Sequence, residues 1–118
     1  MVRTSLIAVL LAFLSAVPAT ADFAKVTDKS QFVNLINGRT LARPLVRLQV
    51  TPDGQISGRG AAWDVTGQWS WQDGYFCRDL EWGDSDLGYN CQEVRVHGRT
   101  LRFISDRGAG EFADLNLR

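Results

Sequence analysis

The chain has 118 residues, with 13 basic and 13 acidic side chains, so its formal net charge at pH 7 is zero. A balanced charge gives no electrostatic reason to bind nucleic acid or an anionic lipid surface, so we expect neither as a partner. The length corresponds to one small domain, which buries a modest share of its surface and benefits from a covalent crosslink.

The N-terminal segment has the three parts of a secretory signal peptide. Arg3 supplies a positive charge, residues 6–14 form an uninterrupted apolar run, and small side chains follow at Ala19 and Ala21. A membrane anchor is the alternative, but the run is well short of the ~20 residues that a spanning helix needs. We therefore predict cleavage after Ala21, one periplasmic or secreted domain over residues 22–118, and no stable membrane insertion after cleavage.

The sequence contains two cysteines, Cys77 and Cys91. An even number of cysteines in an exported chain indicates a disulfide, and closing a loop of about 15 residues stabilises a fold by roughly 3 kcal/mol. The alternative is a metal or redox pair, but the spacing is not C-x-x-C and the single histidine, His97, supplies no third ligand. The sequence therefore predicts a structural disulfide, no metal and no cofactor.

A helical pattern occurs near the start of the predicted domain. Polar residues 27–30 offer capping side chains, and apolar side chains between Phe32 and Ile36 then fall on one side of a short helix. Asn37 and Gly38 form a typical stop signal. An isolated helix of this length is not stable, so we expect its apolar side to pack on the rest of the domain.

After Thr40 the apolar residues alternate with polar ones, which is typical of half-buried strands. Pro52-Asp53-Gly54 predicts a turn between the first two strands. This turn sets a register with three cross-strand pairs: Val50 with Ile56, Leu48 with Gly58, and Val46 with Gly60. Large side chains then oppose glycines on one face, as at a sharply curved part of a barrel.

The strongest local pattern is a hairpin over residues 66–82. Asp73-Gly74 between two alternating runs predicts a two-residue type I′ turn. That turn sets three further pairs: Trp71 with Phe76, Trp69 with Arg78, and Gly67 with Leu80. The face that carries the tryptophans is expected to be core, and the other face is expected to be solvated.

The remaining strands follow from the disulfide and from two glycine-containing turns. Cys91 opens a strand that pairs with the Cys77 strand after a loop over residues 83–88. The next turn, at Gly98, predicts two apolar pairs: Val96 with Leu101 and Val94 with Phe103. Residues 112–117 form a closing strand after a last turn over residues 107–110.

Together these patterns predict a mainly β fold, with one short N-terminal helix followed by an antiparallel meander of about seven strands. The strands are short and joined by tight turns, and the glycines permit curvature. We therefore expect a small barrel or half-barrel, which also removes exposed strand edges. A β-sandwich is the alternative.

Four tryptophans fall into two groups. Trp69 and Trp71 are expected in the core, because aromatic side chains bury the most area per residue. Trp63 and Trp82 lie near strand ends and are candidates for stacking on a sugar, a lipid or a peptide. We predict that these two contribute to a binding surface.

Asp84 and Asp86 are the second pair of candidate binding residues. They lie in the predicted loop over residues 83–88, which the disulfide holds and which therefore suits partner recognition. A Ca²⁺ site there would need six or more oxygen ligands from a dedicated loop, and the spacing lacks that pattern.

The sequence predicts no catalytic residue. His97 has no second histidine or suitably spaced carboxylate to work with, and no serine lies in a G-x-S-x-G elbow. Gly58-Arg59-Gly60 lacks the third glycine and the following helix of a dinucleotide fingerprint.

Three segments carry a resemblance to known proteins: Arg43-Pro44-Leu45-Val46-Arg47-Leu48, the run from Trp69 to Arg78, and Asn90-Cys91-Gln92. Across nearly all of residues 22–118 the chain resembles small exported, largely uncharacterised alphaproteobacterial proteins, some labelled dihydrodipicolinate reductase. That label implies a two-domain Rossmann enzyme with a Gly-rich nucleotide loop, which this chain lacks, so no catalytic residue is carried over. More distantly, a small disulfide-bearing barrel with a G-x-W strand resembles the calycin-like bacterial protease inhibitors.

These observations favour an exported, non-enzymatic binding module in the bacterial envelope, protein-binding and inhibitor-like, with an envelope protein as its partner. The first alternative is a barrel that binds a small apolar or sugar ligand. The second alternative, an enzyme such as a dihydrodipicolinate reductase, is disfavoured because the sequence offers no catalytic group.

Overall fold

The computed structural model describes residues 22–118, so the predicted signal peptide and its cleavage site lie outside the described residues. This part of the chain forms one α-helix, α1 (Lys29–Ile36), a 3₁₀ turn (Asp106–Gly108) and nine strands. The strands are β1 (Ala24–Lys25), β2 (Thr40–Arg43), β3 (Val46–Val50), β4 (Gln55–Gly60), β5 (Trp63–Gln72), β6 (Tyr75–Trp82), β7 (Ser85–His97), β8 (Thr100–Ile104) and β9 (Phe112–Leu117).

Helix α1 begins and ends where the capping residues predict. The side chain of Asp28 accepts a 2.8 Å hydrogen bond from the amide of Gln31, which satisfies a free N–H group of the first turn. Gly38, just after the helix, has a positive φ of 70°. The side chains of Phe32 and Ile36 are fully buried. Within residues 22–118 no helix is both long and apolar enough to cross a membrane.

The strands β2 to β9 form a closed antiparallel barrel in which each strand pairs with the next one in the chain. Closure comes from β2 and β9, where Leu41 pairs with Leu117 and Ala42 with Asn116. The predicted barrel is therefore confirmed, and the alternative sandwich is wrong. The extra strand β1 pairs with β7 outside the ring.

The predicted hairpin registers are confirmed. The turn between β3 and β4 places Leu48 opposite Gly58, and the turn between β5 and β6 places Trp69 opposite Arg78. Asp73 has a positive φ of 52° and is followed by Gly74 at 85°, as a type I′ turn requires. The pairs that join Val94 with Phe103 and Val96 with Leu101 are also present.

The disulfide joins Cys77 and Cys91, which lie directly opposite each other on β6 and β7. Cys77 is almost fully buried. The bond therefore crosslinks two consecutive strands of the barrel.

The strand count and one loop differ from the sequence prediction. The structure has nine strands where about seven are predicted, because β1 and β2 carry no clear alternation. The predicted loop over residues 83–88 is wrong: β7 starts at Ser85, and the turn is reduced to Gly83 and Asp84. A register shift opposite Leu80 and Glu81 takes up the extra residue, Leu87, as a bulge.

The two ends of the barrel differ. Helix α1 covers one end, where Phe32 packs against Trp69 and Phe76 with ring centroids 5.2 and 5.1 Å apart. The other end, which we call the mouth, is bordered by the turns over residues 44–45, 61–62 and 83–84. The buried core lies at the helix end, and this leaves the mouth as the place for a site.

Candidate functional site

A cavity of about 160 Å³ lies inside the barrel, between the aromatic core and the mouth. A void of this size exceeds what a single water molecule needs and is comparable to engineered cavities that bind benzene. Nine of its eleven lining residues are apolar, and they come from six strands: Leu41, Leu48, Val50, Ile56, Phe76, Leu80, Phe103, Ala113 and Leu115. The cavity therefore has the apolar wall of a small-ligand site.

Arg78 and Gln92 are the two polar residues that line the cavity. Both point inward, because Arg78 lies opposite Trp69 and two residues from Phe76, and Gln92 lies opposite Phe76. One guanidinium nitrogen of Arg78, Nη1, donates a 2.7 Å hydrogen bond to the carbonyl of Gly88. Burial lowers the pKa of Arg78 from its usual value, and the neighbouring Asp79 partly offsets this effect. The guanidinium is therefore a partly desolvated positive charge.

An apolar depression of about 410 Å³ lies at the mouth and borders the cavity. Leu48 and Leu80 line both the cavity and the depression, so the two are neighbouring spaces. The rim of the depression carries Leu45, Trp82 and Leu87, whose side chains are 80%, 38% and 51% exposed. Large apolar side chains so exposed around one opening are unusual for a surface without a binding role.

The two predicted contact tryptophans meet at the mouth. The rings of Trp63 and Trp82 pack edge to face with centroids 5.3 Å apart, and Trp63 is 55% exposed. Trp82 is held in place by a 2.7 Å hydrogen bond from its Nε1 to the carbonyl of Gly60. Trp69 is buried and belongs to the core, as predicted, and Trp71 is partly buried and packs against that core.

The structure does not bring Asp84 and Asp86 into the apolar mouth. Asp84 lies exposed in the turn between β6 and β7. Asp86 lines a separate polar depression on the outside of the barrel, together with Asp79 and Glu81. Its carboxylate accepts a 2.8 Å hydrogen bond from the amide of Gly88, so it stabilises the bulge. No group of three or more His, Cys, Asp or Glu side chains among residues 22–118 is placed to hold a metal ion.

Sequence reasoning did not identify Arg78, Leu45 and Leu87 as site residues. A signal for Arg78 is present in the register, which sets a charged side chain on the same face as Trp69. An inward-facing charge on a half-buried strand conflicts with the hydrophobic pattern, and such conflicts are concentrated at functional positions. The exposure of Leu45 and Leu87 depends on the barrel geometry and has no comparable signal.

No protein-family model matches the chain, and neither the curated proteins nor the solved structures contain a match to it.

Proposed function

We propose that the protein is an exported, non-enzymatic binding module whose barrel takes up a small apolar ligand through the mouth. The observation that carries this proposal is the apolar cavity next to an apolar depression at the uncovered end of the barrel. Eight-stranded barrels are just wide enough to be filled by side chains or to hold one small ligand. Here the side chains fill the helix end and leave space toward the mouth.

The size and lining of the two spaces support a small-molecule site. Ligand sites typically measure about 300–1,000 Å³, are mainly apolar and contain a few polar groups that orient the ligand. The mouth depression falls in this range, and the cavity beyond it adds two polar side chains, Arg78 and Gln92. The disulfide supports export to an oxidising compartment, the periplasm or the outside of the cell.

The proposal is tested by titrating linear alcohols, from butanol to decanol, into the domain over residues 22–118 by calorimetry. Alcohols carry no charge, so they probe the apolar space alone. Ala113 lines the cavity, and Ala113→Leu should fill it and remove most of the binding. Ala24→Leu makes the same change on the exposed strand β1 and should bind as the wild type does. Wild-type protein that binds none of the alcohols would contradict the proposal.

A second candidate function is protein binding, with an envelope protein seated on the rim of the mouth. The observation in its favour is the cluster of exposed apolar side chains at Leu45, Trp63, Trp82 and Leu87. Interface hot spots are rich in tryptophan, which supplies two of these four side chains. An inhibitor-like role belongs to this candidate.

Native mass spectrometry of the mature protein, purified gently from the envelope of its host, separates the two candidates. A co-purifying small mass favours the small-ligand barrel, and a stoichiometric protein favours the rim as an interface. In the second case Asp84→Asn with Asp86→Asn should weaken the complex only if the acidic turn takes part in it. An intact mass that begins at Asp22 also tests the predicted cleavage.

A further inference from the structure

The guanidinium of Arg78 is a charged group that lies among mainly apolar side chains. It lies on the inner face of β6, between Phe76 on the side of the helix end and Leu80 on the side of the mouth. Burying a charge disfavours the folded state unless the charge is paired and hydrogen bonded. A charge kept at such a position needs a partner that the apolar wall does not supply.

The described part of the chain leaves most of this guanidinium available. It has five N–H donors, and the carbonyl of Gly88 accepts from one nitrogen, Nη1. None of the salt bridges formed within residues 22–118 includes Arg78. Asp79, its neighbour in sequence, points to the opposite face of the strand and lines the outer polar depression. The charge inside the barrel therefore lacks a paired carboxylate.

We infer that Arg78 binds the head group of an amphiphile with a single carboxylate, whose aliphatic tail lies along the apolar wall toward the mouth. This inference rests on the proposed function, because it names the ligand class of the same cavity. A guanidinium matches a carboxylate in geometry and charge and binds it with two parallel hydrogen bonds. Gln92, the second polar residue of the lining, lies opposite Phe76 and donates its amide to the hydroxyl of Ser105, so the head group is assigned to Arg78 alone.

The position of Arg78 sets the length of the tail. The guanidinium of Arg78 reaches the carbonyl of Gly88, which lies opposite Leu80, and Leu80 is two residues, or roughly 7 Å of extended strand, from Trp82. A tail that starts at Arg78 passes Leu80 and reaches the rim at Trp82 and Leu87. A medium-chain acid is long enough to cover this distance, and the single guanidinium fits a single negative charge.

The first experiment compares octanoate with octanol, which have the same number of carbons and differ in the charge of the head group. Both are titrated by calorimetry at neutral pH into the wild-type domain. Octanoate should bind at least about tenfold more tightly, because hydrogen bonds to charged groups are stronger than neutral ones. This comparison needs no variant, so it holds even if a substitution of Arg78 prevents folding.

Variants then assign the difference to Arg78. Arg78→Met keeps a long side chain without charge and should lower the octanoate affinity about tenfold or more while leaving octanol binding in place. Arg78→Lys keeps the positive charge but lacks the planar guanidinium that binds a carboxylate with two parallel hydrogen bonds, so it should give an intermediate octanoate affinity. Arg47→Met is the matched control, because Arg47 is exposed on the outside of β3 and should not affect either ligand.

The outcomes separate this inference from the proposed function. Octanol binding with no preference for octanoate, or full octanoate affinity in Arg78→Met, overturns the role of Arg78 and leaves the apolar barrel standing. If the wild type binds neither compound, the proposed function fails together with the inference. Preference for octanoate that is lost in Arg78→Met but kept in Arg47→Met supports both.

Discussion

The carbonyl oxygen of Leu45 accepts a 2.7 Å hydrogen bond from the amide of Ala61, which links two turns at the mouth of the barrel. Both residues lie in the left-handed region, with φ angles of 68° and 53°. This conformation is unfavourable for residues with a side chain by about 1–2 kcal/mol. Leu45 is in addition 80% exposed, so neither backbone preference nor burial explains a leucine at this place.

We predict that Leu45→Gly raises the free energy of unfolding by up to about 1 kcal/mol, because glycine accepts the positive φ without strain. The same change should weaken alcohol binding, since it removes an apolar side chain from the rim. Denaturant unfolding and calorimetry measure the two effects. Ala61→Gly relieves the same strain and should stabilise similarly, but Ala61 lines the depression with a single methyl group, so its loss should weaken binding much less than the loss of the leucine side chain. A less stable Leu45→Gly would show that the leucine is there for the fold.

Gly67 should be intolerant of any side chain. A Cβ atom there would overlap the carbonyl oxygen of Asp79 and lie 2.8 Å from Cδ2 of Leu80 on the neighbouring strand. We predict that Gly67→Ala lowers the free energy of unfolding by about 3 kcal/mol or more, since overlap with backbone is relieved only by moving a strand. Denaturant unfolding provides the measurement.

Gly38→Ala is the control for that prediction. Gly38 has a φ of 70°, but no atom lies within 4 Å of the added Cβ. The free energy of unfolding of Gly38→Ala should therefore fall by only roughly 1 kcal/mol, the cost of the strained backbone. Equal losses of unfolding free energy in Gly67→Ala and Gly38→Ala would mean that the close approach of the strands at Gly67 does not affect stability.

Glu93 should make the stability of the protein depend on pH in the acid range. Its carboxylate accepts a 2.9 Å hydrogen bond from Arg95 and lies 3.4 Å from the ammonium group of Lys25 on β1. These contacts, the hydrogen bond from Arg95 above all, lower the pKa of Glu93 below its ordinary value of 4.5. The ionised Glu93 therefore stabilises the fold fully above pH 4.5. This contribution is lost as the pH falls through the lower pKa that Glu93 has in the folded state.

Glu93→Gln tests this directly. At neutral pH the variant should be less stable than the wild type by up to about 1 kcal/mol, the range of partly exposed ion pairs. The difference should shrink as the pH falls below 4.5, because the wild type then loses the same charge. Glu111→Gln changes an exposed carboxylate that takes part in none of the salt bridges within residues 22–118, and should show no such trend. A constant difference across the acid range would exclude the linkage.

Register was predictable wherever a turn has a single sterically preferred solution. Asp73-Gly74 permits the two positive φ angles of a type I′ turn, and a two-residue turn leaves no freedom in pairing. The pair of Trp69 with Arg78 follows from it without knowledge of any other strand. The helix was predictable for a similar reason, since the cap and the stop residue act within a few residues of sequence.

The missed elements lack such local determinants. Strand β1 has two residues, too few to show alternation, and it exists because Glu93 and the edge of β7 hold it. Strand β2 is joined to β3 by Pro44 and Leu45, and the positive φ falls on a leucine where a glycine is expected. The bulge at Leu87 interrupts the alternation of β7 and makes its first residues read as a loop.

The candidate site was only half predictable. Trp63 and Trp82 were found because aromatic residues at strand ends are rare enough to stand out. The cavity was not, because its volume is the space left by side chains from six strands, and such a remainder depends on packing in three dimensions. The inward position of Arg78 follows from the register, but its place in a ligand site depends on that space.

The fluorescence of the tryptophans should report whether the mouth is accessible and where a ligand lies. Trp63 and Trp82 are 55% and 38% exposed while Trp69 is 6% exposed, so acrylamide should quench a red-shifted fraction of the emission and leave a blue-shifted fraction unaffected. Replacing both rim residues with phenylalanine should remove most of the quenchable fraction and leave only the contribution of the partly buried Trp71.

The two single variants locate the ligand. Octanol should protect Trp82 from quenching in the Trp63→Phe variant, because Trp82 lines the depression, and should protect Trp63 in the Trp82→Phe variant much less. Equal protection of both would place the ligand on the outer rim and not in the barrel.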